Sequence, residues 1–157
     1  MPHPAVIVAN AVLYRAKLRG LAISHLKLQK LVFFTHAWRL AVHGVPAVDE
    51  RPEAWEYGPV FNSLYYRLKG SGHEPITTFI QSVDVSTNAY AALMPSPEEK
   101  DFWSILDQVM DRYGHMTPLE LSTLSHEPGG PWDLARQANQ ALILDDAVSQ
   151  FYRGKLK

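Results

Sequence analysis

The stretch LKLQKLVFFTHAWRLAV, from Leu26 to Val42, constrains the fold more than any other part of the chain. Its apolar residues Leu28, Leu31, Val32, Phe34, Trp38, Leu40 and Val42 lie on more than one face of a helix. A helix apolar on one side rests on a core, whereas one apolar all round must be covered from several directions. Ser24 supplies an N-cap, and Gly44 with Pro46 supplies the stop. Gln29, Lys30, His36 and Arg39 interrupt the run, so it falls short of a membrane span. The expectation is a central helix with the rest of the chain wrapped around it.

The flanking segments read as its cover. Val6, Ala9, Leu13 and Ala16 repeat at helical spacing within residues 4–19, giving a helix with one buried face that Gly20 ends. Glu53 to Tyr57 alternates with period two, which predicts a short strand. Pro59 suits the first position of a helix, where a missing N–H costs nothing, so VFNSLYYRLK is read as a helix up to Gly70. GSGHEP is a turn, PITTFI a second short strand, and QSVDVSTN its exit. Ser96 with Glu99, and Thr117 with Glu120, match the capping-box signature, each with a proline at the next position. They open helices ending at Tyr113–Gly114 and before EPGGP. WDLARQAN and a last helix from Asp145 to Gly154 complete the chain. The fold class is therefore mainly α: a compact helical bundle around a central hydrophobic helix, with one or two short β-strands.

With 157 residues, 46% hydrophobic and 20% charged, residues 1–157 suffice for a single domain with one core. The absence of cysteine excludes disulfides, thiolate metal sites and cysteine nucleophiles, and fits a reducing cytoplasm. MPHPAVIVANAVLY has no basic residue before its apolar run and no cleavage pattern, so no signal peptide is expected, and the protein is read as soluble with no membrane partner. Charge is unevenly distributed. Six basic residues and no acid precede Asp49, namely Arg15, Lys17, Arg19, Lys27, Lys30 and Arg39, while acids dominate afterwards. Either the two parts neutralise one another in one domain, or a basic face meets an acidic partner or a nucleic acid.

The familiar chemistries are not spelled out. The seven histidines form no pair at ligand spacing, so neither a metal nor another cofactor is expected. Ser122 and His126 are four apart on an expected helix with Glu127 next to them, a spacing that admits a small hydrolase as well as a helix-end hydrogen bond. Gly70-Ser71-Gly72 lacks the context of a phosphate cradle. Glu53 and Glu56 point to opposite sides of a strand, which prevents paired acid–base work. No DNA- or RNA-binding motif accompanies the early basic residues, so a nucleic-acid-binding regulator is a weaker reading.

Three blocks in order, KLQKLVFFTHAWRLAVHG at 27–44, EAWEYGPVFNSLYYRLKGSG at 53–72 and ELSTLSHEPGGPW at 120–132, resemble the Panacea domain. This helical antitoxin domain also covers SocA-like antitoxins and phage-associated GepA-like proteins. The resemblance runs from Val6 to Phe151. It implies a prophage-associated antitoxin, not an enzyme, that binds a cognate protein toxin, usually encoded beside it, and neutralises it. The alternative it implies is a proteolytic adaptor that delivers the toxin to a cytoplasmic protease.

The family pattern matches at Lys27, Leu28, Gln29, Lys30, Leu31 and Trp38, at Ala54, Trp55, Tyr57, Gly58, Pro59, Val60 and Tyr65, and at Leu121, Ser122, His126, Pro131 and Trp132. Phe33 and Phe34 stand where tyrosines are common, and Gly129-Gly130 loosens the usual acidic turn. Of these positions Leu28, Gln29, Leu31, Trp38, Trp55, Ser122, His126, Pro131 and Trp132 are read as structural. Trp55 and Tyr57 are expected to share a strand face packed on the central helix, with Gly58 permitting a turn and Pro59 starting the next helix. The open end of that helix, with Lys27 or Lys30 nearby, is the expected place for an acidic partner group. Lys27, Lys30, Tyr57, Gly58, Pro59, Phe61, Tyr65, Tyr66 and Arg67 form the candidate partner-binding set, and Tyr14, Phe61, Tyr66 and Arg67 the exposed anchors. Apolar residues left outside the core would serve either the toxin surface or a homodimer.

Overall fold

The computed structural model describes residues 1–156. Among them are seven helices and two small antiparallel hairpins, so the protein is mainly α. Helices α1 (Ala5–Leu18) and α2 (His25–His43) are followed by strands β1 (Glu53–Trp55) and β2 (Gly58–Val60) and helix α3 (Asn62–Leu68). Strands β3 (Ser82–Asp84) and β4 (Ala89–Ala91) lead to α4 (Lys100–Tyr113), α5 (Pro118–Ser125), α6 (Pro131–Gln137) and α7 (Asp145–Arg153).

Helix α2 is buried without a break from Lys27 to Ala41 and packs against α1, α3, α4, α5, α7 and β2. Its ends follow local chemistry: the Ser24 side chain accepts from Lys27 N, and Gly44 takes the left-handed conformation at φ 70°. Phe34 stacks on Tyr113 at 4.3 Å, and Trp38 Nε1 donates to the Tyr113 hydroxyl at 2.9 Å, joining α2 to α4. Helix α1 is covered on more than the one face its spacing indicates, since Ala5, Val8, Ala11 and Val12 are buried along with Val6, Ala9, Leu13 and Ala16. The early positive charge is answered by α4. Arg15 pairs with Asp107 at 2.8 Å, Arg19 with Asp111 at 2.6 Å, and Arg39 with Asp101 at 3.4 Å.

Four local expectations are corrected. Pro59 does not start a helix: it lies in β2 opposite Ala54, and α3 begins only at Asn62. Proline cannot donate, so this pair is of the non-hydrogen-bonded kind, in which the backbone groups of both residues face away from the partner strand. Accordingly Ala54 N donates outward to Ala141 O at 2.8 Å. The strand expected over Glu53–Tyr57 ends at Trp55, because Glu56 and Tyr57 form the turn and Gly58 carries the positive φ of 112°.

PITTFI is not a strand. Ile76 N donates to Ile23 O, and the buried Asn10 amide bonds both the N–H and the carbonyl of Ile80, so side chains satisfy groups that a ladder would otherwise use. The pairing falls later, between Ser82–Asp84 and Ala89–Ala91. The Ser96–Glu99 box is also displaced: Ser96 Oγ accepts from Glu98 N, residues 96–99 make a turn, and α4 opens at Lys100. The Thr117–Glu120 box forms in full, with Pro118 in the first turn of α5.

Candidate interaction surface

The three motif blocks meet at one place, the β1–β2 hairpin. On the α2 side, Gln29 makes a double clasp with Phe61, accepting from its N–H at 2.9 Å and donating to its carbonyl at 3.2 Å. The next residue, Lys30, donates from Nζ to Pro59 O at 2.7 Å. From α5, Ser122 Oγ donates to Tyr57 O at 2.7 Å, and from α6, Trp132 Nε1 donates to Trp55 O at 2.7 Å while Arg136 donates to Ala54 O at 3.2 Å. Glu53 accepts from Trp55 Nε1 and Asn62 Nδ2, and the outer edge of β1 is closed by the 141–143 segment. Side chains thus hold the hairpin at the carbonyls of Ala54, Trp55, Tyr57 and Pro59. A two-stranded ribbon without such support is marginal in water.

Gly58 is required by this mounting. A Cβ there would sit 2.5 Å from Ser125 Oγ and 2.8 Å from Lys30 Cε, so Lys30 and Ser125 form the floor beneath the turn. Lys30 itself is fully buried, and burial pushes its amine down to about 7. His25 and His126 flank it, and both are held below the ordinary histidine value, first by burial and next by the Lys30 charge. The His126 ring stacks on Trp132 at 3.8 Å, and its Nε2 is buried with no hydrogen-bond partner among the described residues.

What the hairpin turns outward is aromatic. Tyr57, at the tip, is 60% exposed and Tyr66, on α3, 62%. Tyr65 links Tyr66 to the hairpin: its ring lies 4.6 Å from Trp55, 5.6 Å from His25 and 5.7 Å from Tyr66, and the Lys69 ammonium stands 5.0 Å over Tyr66. Aromatic rings with polar tips on a firm base are the residues that anchor protein interfaces.

The structure therefore distributes the sequence candidates differently from the expectation. Leu28, Leu31 and Trp38 lie in the core, and Trp55 and Trp132 are half-buried struts of the hairpin mount. Tyr57 is exposed at the hairpin tip and Tyr66 and Arg67 are exposed on α3, with Tyr65 half-buried between Trp55 and Tyr66, and Arg67 spends its guanidinium on Gln81 O. Phe61 is 0% exposed, because the Gln29 clasp draws it inward, and it offers no surface. Lys30 and Pro59 are enclosed, Lys27 is buried by the α2 environment, and the helix end expected at Pro59 falls three residues later, at Asn62, since β2 occupies its place. Tyr57 does not pack on α2: it caps the turn. Tyr14 is exposed, but its ring meets Trp103 on α4, away from the hairpin motifs.

Ser122 directs its hydroxyl proton at Tyr57 O, and His126 stacks on Trp132, so neither is set toward the other as a nucleophile and base are. Pro131 is buried at the start of α6, which brings Trp132 and Arg136 to the hairpin. Three contributors escaped the sequence reading: Ser125, His25 and Arg136. Each carried a signal, for Ser125 is three residues beyond Ser122, Arg136 four beyond Trp132 and His25 four before Gln29, each on its neighbour's helix face. Among the described residues no three His, Asp or Glu gather as a metal would need, and no helix is long and apolar enough to cross a membrane.

Fold and site together define a mainly helical protein whose motif residues mount a β-hairpin and leave an aromatic surface beside it. The family model for antitoxin SocA-like proteins, Panacea domain, matches residues 28–133, the span that holds all three motif blocks apart from Lys27. The chain is 33% identical over 127 residues to antitoxin SocA of Caulobacter vibrioides (strain NA1000 / CB15N), covering 81% of this chain and 67% of that protein. The chain belongs to the SocA-like, Panacea-domain antitoxin family. No solved structure matches it.

Proposed function

We propose that this protein is an antitoxin that neutralises a cognate protein toxin by binding it directly, through the surface formed by the β1–β2 turn and α3. Family membership supports the antitoxin role, and the relative from Caulobacter vibrioides carries that name. The observations that carry the binding site are the exposed Tyr57 at the tip of a turn fixed from beneath and, on α3, the exposed Tyr66, whose ring meets Tyr65 and through it Trp55. A surface held rigid before binding loses less entropy when it docks, so few anchors suffice. On this reading residues 1–157 act as one domain around α2 in the cytoplasm, in a prophage setting, with the toxin encoded next door and no catalytic step by the antitoxin.

Co-expression with the adjacent open reading frame tests the role. The neighbour alone is expected to arrest growth, and the pair to grow and co-purify. Tyr57→Ala and Tyr66→Ala should each weaken the complex by more than tenfold, the loss typical of an anchor, while melting as the parent does. Rescue without a stable complex, with toxin disappearing in a pulse-chase, would replace inhibition by delivery to a protease. A harmless neighbour would remove it as the toxin.

A further inference from the structure

We infer that Lys30 is a positioning residue for the partner surface: its buried amine, bonded to Pro59 O, sets the β1–β2 turn at the height that presents Tyr57. The inference rests on the proposed antitoxin reading, with Tyr57 as an anchor.

Lys30 has an unusual place for a cation. It is fully enclosed, and it takes part in none of the ion pairs among the described residues, whereas Arg15, Arg19 and Arg39 are all matched by acids of α4. A buried charge without a counter-charge opposes folding, and an apolar side chain of the same length would fill the space at lower cost. The stability of the fold therefore does not account for Lys30. Its contacts do. The side chain ends on Pro59 O and passes under Gly58, where any Cβ would meet Lys30 Cε at 2.8 Å.

The turn thus stands on two legs, Lys30 from α2 at Pro59 and Ser122 from α5 at Tyr57. With one leg removed, the tip can tilt about the other. An amine donates a hydrogen bond whether protonated or neutral, so the leg holds on both sides of its titration, which burial brings to about 7. Methionine has nearly the same length and no donor, and glutamine keeps a donor on a shorter arm.

The test uses the full chain carrying Lys30→Met, with Lys30→Gln read in the same way should the first variant not fold. In the free protein at pH 6.5, melting is expected to stay level or rise, while hydrogen exchange at Gly58 and Val60 accelerates at least tenfold. Unchanged exchange at these amides overturns the inference, as does a melting point that falls in step with the faster exchange. With the co-purifying neighbour as probe, Lys30→Met should weaken binding at least tenfold, and adding Tyr57→Ala to it should weaken binding little further. Full additivity of the two changes would show that Lys30 does not act through Tyr57. If Tyr57→Ala loses binding and Lys30→Met does not, the inference fails and the antitoxin surface stands. If Tyr57→Ala and Tyr66→Ala both bind as the parent, the surface reading fails, and with it the role assigned to Lys30.

Discussion

Replacing Lys30 by methionine should change how stability depends on pH as well as stability itself. In the folded protein the Lys30 amine titrates near 7, against 10.5 for a free lysine, and burial is the cause. Between these two values the unfolded chain holds a proton that the folded chain has released. Stability from this group is therefore complete above about pH 10.5, falls as the pH drops through the window, and reaches its lowest level below about 7. At about 1.4 kcal/mol for each tenfold change, the gap sets a ceiling of roughly 5 kcal/mol on the penalty at low pH. Methionine removes that penalty but leaves the buried Pro59 carbonyl without its donor, a loss of about 1–3 kcal/mol.

The variant should accordingly be more stable than the parent by up to about 2–4 kcal/mol at pH 6.5 and less stable at pH 10.5, with the two curves crossing inside the window. Other groups do not imitate this. His25 and His126 are pushed down and titrate below the window, Tyr113 and Tyr152 are pushed up, and Lys27, displaced in the same direction as Lys30, is present in both proteins. Urea unfolding at half-unit steps from pH 6.5 to 10.5 measures the difference directly. Parallel curves for parent and variant would refute the assignment of a buried, uncompensated amine.

Three further changes probe the mounting of the hairpin. Gly58→Ala combines a φ of 112° with contacts at 2.5 and 2.8 Å, and should lower stability by roughly 2–5 kcal/mol in urea unfolding and abolish toxin neutralisation. Gln29→Leu leaves Phe61 N–H buried and unpaired, while Tyr65 N still bonds its carbonyl; a loss of about 1–3 kcal/mol is expected from the same measurement. Thr117→Ala removes the full capping box of α5 and should cost about 1 kcal/mol in thermal unfolding. It should leave toxin binding unchanged, because Thr117 is at the opposite end of α5 from the Ser122–Ser125 face that supports the turn.

The sequence alone determined those features that depend on neighbours within a turn or two. The caps at Ser24, Gly44 and Thr117, the all-round burial of α2 and the final helix from Asp145 follow from periodicity and from short side chains meeting nearby backbone groups. The ordered motif blocks likewise indicated the family, now shown for residues 28–133. Pro59 was not decided locally. A residue with no N–H fits both the first position of a helix and an outward-facing site in a ribbon, and the choice depends on Ala54 across the hairpin and on Lys30, 29 positions away in sequence. The same holds for Ile80, whose backbone groups go to Asn10, 70 positions distant. Tertiary structure also divided the candidate set, enclosing Lys30 and Phe61 and exposing Tyr57 and Tyr66, although all four sit in equally plausible motifs. Burial is a property of what packs on a residue from elsewhere in the chain, and periodicity within one element does not contain it.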